Sequence, residues 1–344
     1  MVHSRRINRR KKIVKYLNAP IKINGTEIPN RLVMPPMATG KSTPDGTVTD
    51  KLLEYYDARS NGGYIGLIIT EHSFIARNGM ASKSQVSISS DEDIDGLSKI
   101  AETIHRNGTK VIAQISHAGL RSNADDTGFT PVGPGSRRCP SDSKRTDEFH
   151  TLTKDEIKEL TAKFADAAVR AQKAGFDGVE IHCAHSYLLN QFWSPLTNDR
   201  DDEYGGCAEN RIRFTLEVIE AVRAAVPENF IVAVRFGALD YMDGSSSPEE
   251  AVKAAVLMEK AGADMIDISG GMCGYMNGSK LEYGWFGDIS EAVKKAVSVP
   301  VMVTGGVKAA EQAEKLLEEG KCDLAGVGRA IFRDADWARK AMAE

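Results

Sequence analysis

Eight short apolar runs alternate along the chain with eight stretches of amphipathic helical pattern, and this alternation restricts the fold more than any other feature of the sequence. Each run is nearly continuous in apolar character, as expected for a parallel strand covered on both faces. The runs predict strands at residues 31–35, 65–70, 110–115, 178–182, 231–235, 265–269, 301–304 and 324–327. The helical patterns cover residues 50–61, 93–107, 154–174, 209–225, 248–261, 288–296, 309–319 and 334–342. Eight strand–helix repeats predict an α/β protein with a (β/α)₈ barrel.

A single barrel accounts for the length of the chain. Its 344 residues fit one large barrel with insertions. A doubly wound parallel sheet is the alternative fold, but no G-x-G-x-x-G fingerprint of a dinucleotide-binding sheet follows an early strand. We therefore predict one barrel domain at residues 17–344, preceded by a basic tail at residues 1–16. A long loop after the third strand, at residues 120–152, is expected to cover the functional face.

Charge and cysteine content argue against several classes of protein. The net charge is −4, so we expect no nucleic-acid partner. The basic residues near the start are more typical of a solvated terminus than of an arm for nucleic acid or membrane, because no apolar face accompanies them. No apolar run is long enough for a membrane span, and the chain does not begin like a secretory signal. The five scattered cysteines are typical of reduced thiols, so we expect a cytoplasmic protein.

Polar residues and glycines stand at the ends of the predicted strands. In a (β/α)₈ barrel the functional groups lie at the C-terminal ends of the strands. This rule selects Pro36-Met37-Ala38, Glu71-His72, Gln114, His117, the segment from His182 to Tyr187, Arg235, Gly270-Gly271, Gly305-Gly306 and Gly328-Arg329.

The glycines after the last two strands are suited to binding a phosphate. Glycine lets backbone N–H groups approach an anion closely, and Arg329 can add a bidentate contact. Barrels commonly place phosphate groups at these two loops. Tight turns without a ligand are the alternative, but two adjacent glycine pairs with an arginine favour phosphate.

His182 and His185 follow the fourth strand, with Tyr187 beside them. A metal site is one interpretation, but further ligands are not evident, so we expect no metal. Two histidines and a phenol are better suited to holding an oxygen atom while the phenol donates a proton. Arg235 ends an apolar strand and needs an anionic partner, which is either a ligand or another side chain of the protein. Gln114 also needs partners for its amide.

Several longer segments recur in one known family. They are residues 30–37 (NRLVMPPM), 114–119 (QISHAG), 174–187 (AGFDGVEIHCAHSY), 194–198 (SPLTN), 202–206 (DEYGG) and 209–211 (ENR). Together they resemble the Old Yellow Enzyme family of FMN-dependent ene-reductases across nearly the whole chain. No single segment would be specific, but the combination is.

The resemblance implies a bound FMN and assigns nine residues to it. Pro36, Met37 and Ala38 would line the flavin, and His72 would lie beside its ring. Gln114 and Arg235 would contact the pyrimidine edge, where Arg235 would stabilise negative charge on the reduced flavin. The phosphate would be held by Gly306, Gly328 and Arg329.

The resemblance also implies a reaction in two halves. NADH or NADPH would give a hydride to N5 of FMN and leave, and an activated alkene would then bind over the same face of the flavin. His182 and His185 would hold the carbonyl oxygen of this enone, enal or enoate. The β-carbon would receive the hydride from N5, and Tyr187 would protonate the α-carbon.

The sequence departs from the family pattern in three places. Ala38 and Gly40 stand where one bacterial branch has a cysteine that tunes the flavin and a tyrosine that contacts the substrate. Longer relatives carry a cysteine-rich iron–sulfur segment and a second nucleotide-binding domain after the barrel. We expect the short form here, reduced directly by the nicotinamide. The loop at residues 121–149 has no counterpart that assigns it a role, and we expect it to influence substrate choice.

Two other functions stay open. A phosphate-binding lyase or isomerase without flavin would be favoured by a Schiff-base lysine at a strand end, but Lys110 begins its strand. A non-catalytic flavin-binding protein would have no use for Tyr187 as an acid. The alkene, the choice between NADH and NADPH, and whether the chain forms a homo-oligomer are not determined by the sequence.

Overall fold

The computed structural model describes residues 14–278 and 282–342, so most of the predicted basic tail lies outside the described residues. The strands are β1 (Ile21–Ile23), β2 (Thr26–Ile28), β3 (Leu32–Met34), β4 (Leu67–Ile69), β5 (Ser73–Phe74), β6 (Lys110–Ser116), β7 (Val132–Gly133), β8 (His150–Thr151), β9 (Gly178–Cys183), β10 (Ile231–Leu239), β11 (Met265–Gly270), β12 (Val301–Thr304) and β13 (Leu324–Gly326). The helices are α1 (Asp50–Ser60), α2 (Ile94–Arg106), α3 (Ala124–Thr127), α4 (Lys154–Lys173), α5 (Leu188–Trp193), α6 (Ala208–Ala225), α7 (Pro248–Lys260), α8 (Gly287–Lys294), α9 (Ala310–Glu318), α10 (Arg329–Arg333) and α11 (Trp337–Met342). Short 3₁₀ turns lie at Arg77–Gly79, Asp91–Asp93, Gly119–Arg121 and Pro140–Asp142.

Eight parallel strands close into a barrel. They follow one another around it in the order β3, β4, β6, β9, β10, β11, β12 and β13, and β13 pairs with β3 to complete the ring. Each strand of the ring overlaps one of the eight runs expected from the sequence, which confirms the predicted (β/α)₈ fold. Among the described helices, none is long and apolar enough to cross a membrane.

The interior of the barrel changes from apolar to polar along the strands. Side chains of a strand alternate between its two faces, and on β10 the inward positions are Ile231, Ala233 and then Arg235. On β11 the inward Met265 is followed by Asp267. Ile231, Ala233 and Met265 belong to one buried apolar cluster at the start of the strands, so the polar residues come together toward the C-terminal ends.

A hairpin that the sequence pattern did not predict packs against the N-terminal end of the barrel. Strands β1 and β2 pair antiparallel, and their residues Ile23 and Ile28 are fully buried in the same apolar cluster. The side chain of Asn24 in the turn donates hydrogen bonds to Glu228 O at 2.6 Å and to Asp264 Oδ2 at 3.2 Å, near the starts of β10 and β11. The hairpin thus covers the N-terminal end of the barrel, and the C-terminal end is left for a ligand.

Two short helices near the C-terminal ends of the strands were also not predicted. Helix α5 follows β9, and α10 follows β13. The helix expected at residues 334–342 begins only at Trp337, because Asp334 has extended backbone geometry and its Oδ1 accepts a hydrogen bond from the Asp336 N–H. The long loop after β6 contains α3 and the paired strands β7 and β8, so it is more ordered than its composition suggested.

Candidate active site

One cavity of about 730 Å³ opens at the C-terminal ends of the strands. Every residue that the family resemblance assigned to the flavin or the substrate lines this cavity, although the residues come from seven different strand ends. They are Pro36, Met37, Ala38, His72, Gln114, His182, His185, Tyr187, Arg235, Gly306, Gly328 and Arg329. The structure therefore brings these twelve residues together, while their individual roles stay predictions. Glu71, His117, Gly270 and Gly271, which the rule of strand ends also selected, are not among the described residues that line the cavity.

The glycines after β12 and β13 form a narrow cradle on one side of the cavity. Gly306 has a φ of +73°, and a Cβ atom there would lie 2.7 Å from the ring of Trp285. A Cβ at Gly328 would lie 3.0 Å from the sulfur of Met37. The Arg329 guanidinium packs over the Trp285 ring, 5.0 Å from its centroid. Only glycine leaves this space open, and a cation borders it.

The segment after β9 adopts a strained turn. His185 and Ser186 have φ angles of 57° and 63°, a left-handed conformation that costs about 1–3 kcal/mol per non-glycine residue and persists only where the surroundings enforce it. Asn190 Oδ1 accepts a hydrogen bond from the Ser186 N–H at 2.9 Å. Gln191 Nε2 donates to Ser186 O at 2.6 Å and to Ala118 O at 3.0 Å. Two amides of α5 therefore hold the turn against the end of β6.

This turn assembles four aromatic rings at the cavity wall. The ring of His182 lies 5.2 Å from that of His185, nearly perpendicular to it, and 4.9 Å from that of Tyr187, measured between centroids. His72 lies 5.4 Å from Tyr187. The Nε2 atom of His185 is 2.8 Å from the Ser269 hydroxyl, which fixes the orientation of that imidazole.

Burial holds these groups in their neutral forms. It lowers the pKa of His182 and of His185 well below the usual value, and the charge of Arg235 adds to the effect for both. Burial also lowers the pKa of His72 to about 4 and raises the pKa of Tyr187 to about 12. At neutral pH the site therefore presents uncharged imidazoles and a protonated phenol.

The sequence left open whether the anionic partner of Arg235 is a ligand or a side chain of the protein. The structure shows a side-chain partner. The Nε of Arg235 lies 3.2 Å from Oδ2 of the buried Asp267. On the neighbouring strand, Glu180 accepts a hydrogen bond of 2.7 Å from Gln114 Nε2. Arg235 and Gln114 nevertheless line the cavity, so each joins a buried carboxyl to the ligand space.

Further residues that the sequence analysis missed also line the cavity. Arg121 and Ser141 come from the long loop after β6, and Tyr275 comes from the segment after β11. Arg121 Nη1 donates to Ser141 Oγ at 2.9 Å and to Asp142. The rule of strand ends could not find them, because they lie well beyond the strands. The expectation that the loop borders the site is consistent with their position.

Known proteins share both the sequence and this architecture. Residues 16–344 match the model of the NADH:flavin oxidoreductase / NADH oxidase family. The chain belongs to this family. Membership confirms the predicted resemblance, and it confirms FMN and NADH or NADPH as the cofactors. It also speaks against a lyase or isomerase without flavin.

Three relatives show the range of the family. The chain is 40% identical over 326 residues to an NADH oxidase of Thermoanaerobacter brockii, and this alignment covers 93% of this chain and 50% of that protein. It is 39% identical over 306 residues to an NADPH dehydrogenase of Clostridium acetobutylicum, covering 89% and 88% of the two chains. The solved structure of an old yellow enzyme homologue from Zymomonas mobilis aligns with a TM-score of 0.82 at 30% identity, covering 94% and 91%. The chain thus spans about half the length of the NADH oxidase and most of the length of the other two.

Proposed function

We propose that the protein is an FMN-dependent ene-reductase, which takes a hydride from NADH or NADPH and reduces the C=C bond of an α,β-unsaturated carbonyl compound. The observation that carries the proposal is the placement of His182, His185 and Tyr187 in the same cavity as the glycine cradle. Family membership supports the flavin and the nicotinamide. The histidines and the tyrosine supply what reduction of a polarised alkene needs besides a hydride.

The residues of the cavity fit FMN. The volume lies within the range of ordinary cofactor pockets, and the glycine cradle with Arg329 suits the phosphate. Pro36, Met37 and Ala38 offer an apolar wall to a flat ring. The Thr304 hydroxyl oxygen, in a residue that lines the cavity, is buried with no hydrogen-bond partner among the described residues, and a polar ring edge would supply one. When bound, FMN supplies the hydride transfer from the nicotinamide to the alkene.

The two histidines can hold a carbonyl oxygen as a pair of neutral donors. A neutral imidazole carries one N–H group, and the rings of His182 and His185 lie 5.2 Å apart with both residues lining the cavity. Nδ1 of His182 has no partner among the described residues, and Ser269 restrains the ring of His185. Buried donors that are held in place stabilise the negative charge that develops on the oxygen as the alkene is reduced.

Tyr187 can deliver the proton that completes the reaction. Its raised pKa keeps the phenol protonated at neutral pH, and its ring lies beside those of His72 and His182 at the cavity wall, at centroid distances of 5.4 and 4.9 Å. A phenol positioned in this way can act as a general acid toward the α-carbon. The strained turn at His185 and Ser186 sets the spacing between the carbonyl-binding histidines and this acid.

Absorption spectroscopy of the purified protein tests the proposal. The protein reconstituted with FMN should show flavin bands that NADH or NADPH bleaches and that anaerobic cyclohexenone restores. Cyclohexanone, which has the carbonyl but no activated alkene, should not restore them. A flavin that is bleached by the nicotinamide but never restored by any enone, enal or enoate would refute the proposal and favour a non-catalytic flavin-binding protein.

A further inference from the structure

Arg235 faces the cavity with a carboxylate directly behind it. Arg235 of β10 and Asp267 of β11 are register partners in the parallel sheet, and the Nε–Oδ2 distance is 3.2 Å. Arg235 lines the cavity. Asp267 is fully buried and is not one of the described residues that line the cavity. The ion pair is therefore oriented with its cation toward the ligand and its anion away from it.

Asp267 relies on Arg235 to compensate its charge. Neither of its carboxylate oxygens accepts a hydrogen bond from a described residue, and the side chain has no exposure to water. Ionising a carboxylate in such a place is costly without a nearby cation. Burial accordingly raises the pKa of Asp267, and Arg235 opposes that rise. The arginine therefore serves two groups, the carboxylate behind it and the ligand in front.

Glu180 is a second buried carboxyl beside the same arginine. It lies on β9, the other neighbour of β10, and its Oε2 accepts the hydrogen bond from Gln114. Burial and the negative charge of Asp267 both raise the pKa of Glu180. One arginine cannot neutralise two buried carboxylates, so Glu180 is the group that keeps a proton at neutral pH. The cluster then contains one cation, Arg235, and one anion, Asp267.

We propose that Asp267 is a positioning residue that weakens the positive field of Arg235 at the flavin and so limits how strongly the site favours reduced FMN. The inference rests on the proposed function, because it concerns the flavin that Arg235 would border. Hydride transfer from NAD(P)H leaves NAD(P)⁺ and adds two electrons and one proton to FMN, so the bound flavin gains one negative charge. Arg235 attracts that charge, and the carboxylate of Asp267 repels it.

The reduction potential of the bound flavin tests this inference. Anaerobic spectroelectrochemical titration at neutral pH should compare the wild type with Asp267→Asn and Glu180→Gln. Both substitutions exchange a buried carboxyl for an amide on a strand next to β10, but only the first removes a charge. We expect Asp267→Asn to favour reduced FMN at least tenfold, which is a rise of about 30 mV for a two-electron couple. Glu180→Gln should leave the potential close to that of the wild type.

A second variant at Asp267 keeps the inference testable if Asp267→Asn does not fold. Asp267→Asn leaves a buried arginine unpaired, so Asp267→Ser, which leaves room for water beside the guanidinium, should be titrated in parallel with the same expected rise. An unchanged potential in these variants, or an equal rise in Glu180→Gln, would overturn the inference and leave the proposed function intact. A wild type that binds FMN but reduces no alkene would contradict the proposed function alone. A wild type that binds no FMN would overturn both.

Discussion

Replacing Tyr187 by phenylalanine removes one hydroxyl group and leaves the ring that borders the cavity. The ring contacts with His182 and His72, at centroid distances of 4.9 and 5.4 Å, can all be kept by phenylalanine. We therefore expect the free energy of unfolding to change by less than about 0.5 kcal/mol and FMN binding to be unchanged. The alkene step loses its general acid, and such an acid contributes about 10²–10⁴-fold to the rate. At about 1.4 kcal/mol per factor of ten, the barrier rises by about 2.8 to 5.6 kcal/mol.

Anaerobic stopped-flow spectroscopy separates the two halves of the reaction. Bleaching of the flavin by NADH or NADPH should proceed at the same rate in Tyr187→Phe and in the wild type, while restoration of its colour by cyclohexenone should slow by at least about 10²-fold. Tyr275→Phe is the matched control, because Tyr275 lines the same cavity but is 62% exposed, and its reoxidation should be unaffected. Equal reoxidation rates for Tyr187→Phe and the wild type would refute the assignment of Tyr187 as the proton donor.

Three further predictions concern the cradle, the strained turn and pH. Arg329→Met removes the cation beside the glycine cradle, so FMN should bind at least about tenfold more weakly in a fluorescence titration; riboflavin, which lacks the phosphate, should bind equally to both proteins, and equal weakening of the two ligands would contradict the phosphate assignment. Gln191→Ala leaves the carbonyls of Ser186 and Ala118 and the N–H of Leu120 without their partner, at about 1–3 kcal/mol for each buried group. Urea unfolding should show a loss of about 3 kcal/mol or more, whereas the exposed Gln172→Ala should change stability by less than about 0.5 kcal/mol. Burial lowers the pKa of His72 to about 4 and that of His117 to about 3, so below pH of about 6.5 the unfolded chain binds protons that the folded chain does not. The free energy of unfolding should therefore fall as the pH decreases from about 6.5 to 4, by up to about 1.4 kcal/mol per pH unit for each histidine; a constant value across this range would be evidence against neutral buried histidines.

Local patterns in the sequence were sufficient to predict the barrel and to select the strand-end residues that line its cavity. A parallel strand covered on both faces must be apolar along its length, so runs such as residues 301–304 are visible in the sequence alone. The functional groups of a barrel lie where its strands end, and the ends of these runs already identify Gln114, Arg235 and the segment from His182 to Tyr187. Glycine pairs beside Arg329 are equally local. For these features the physical cause lies within a few residues of the chain.

The tertiary structure decided the features that depend on contacts between distant segments. The hairpin of β1 and β2 is stable because Ile23 and Ile28 fill the base of the barrel, which no short window of sequence shows. Arg121 and Ser141 reach the cavity only through the path of the loop after β6.

The segment from His182 to Tyr187 shows most clearly which features follow from the sequence and which follow from the tertiary structure. Its composition indicates two histidines suited to holding an oxygen atom and a phenol suited to donating a proton, whereas the left-handed turn that spaces them is held by Gln191 against the end of β6. In the same way, the sequence places a cation at Arg235, but the register of β10 and β11 determines that Asp267 lies behind it. The types of chemical group follow from the residues themselves. Their orientation and net charge follow from packing, because hydrogen bonds and ion pairs act over a few ångströms in space and not along the chain.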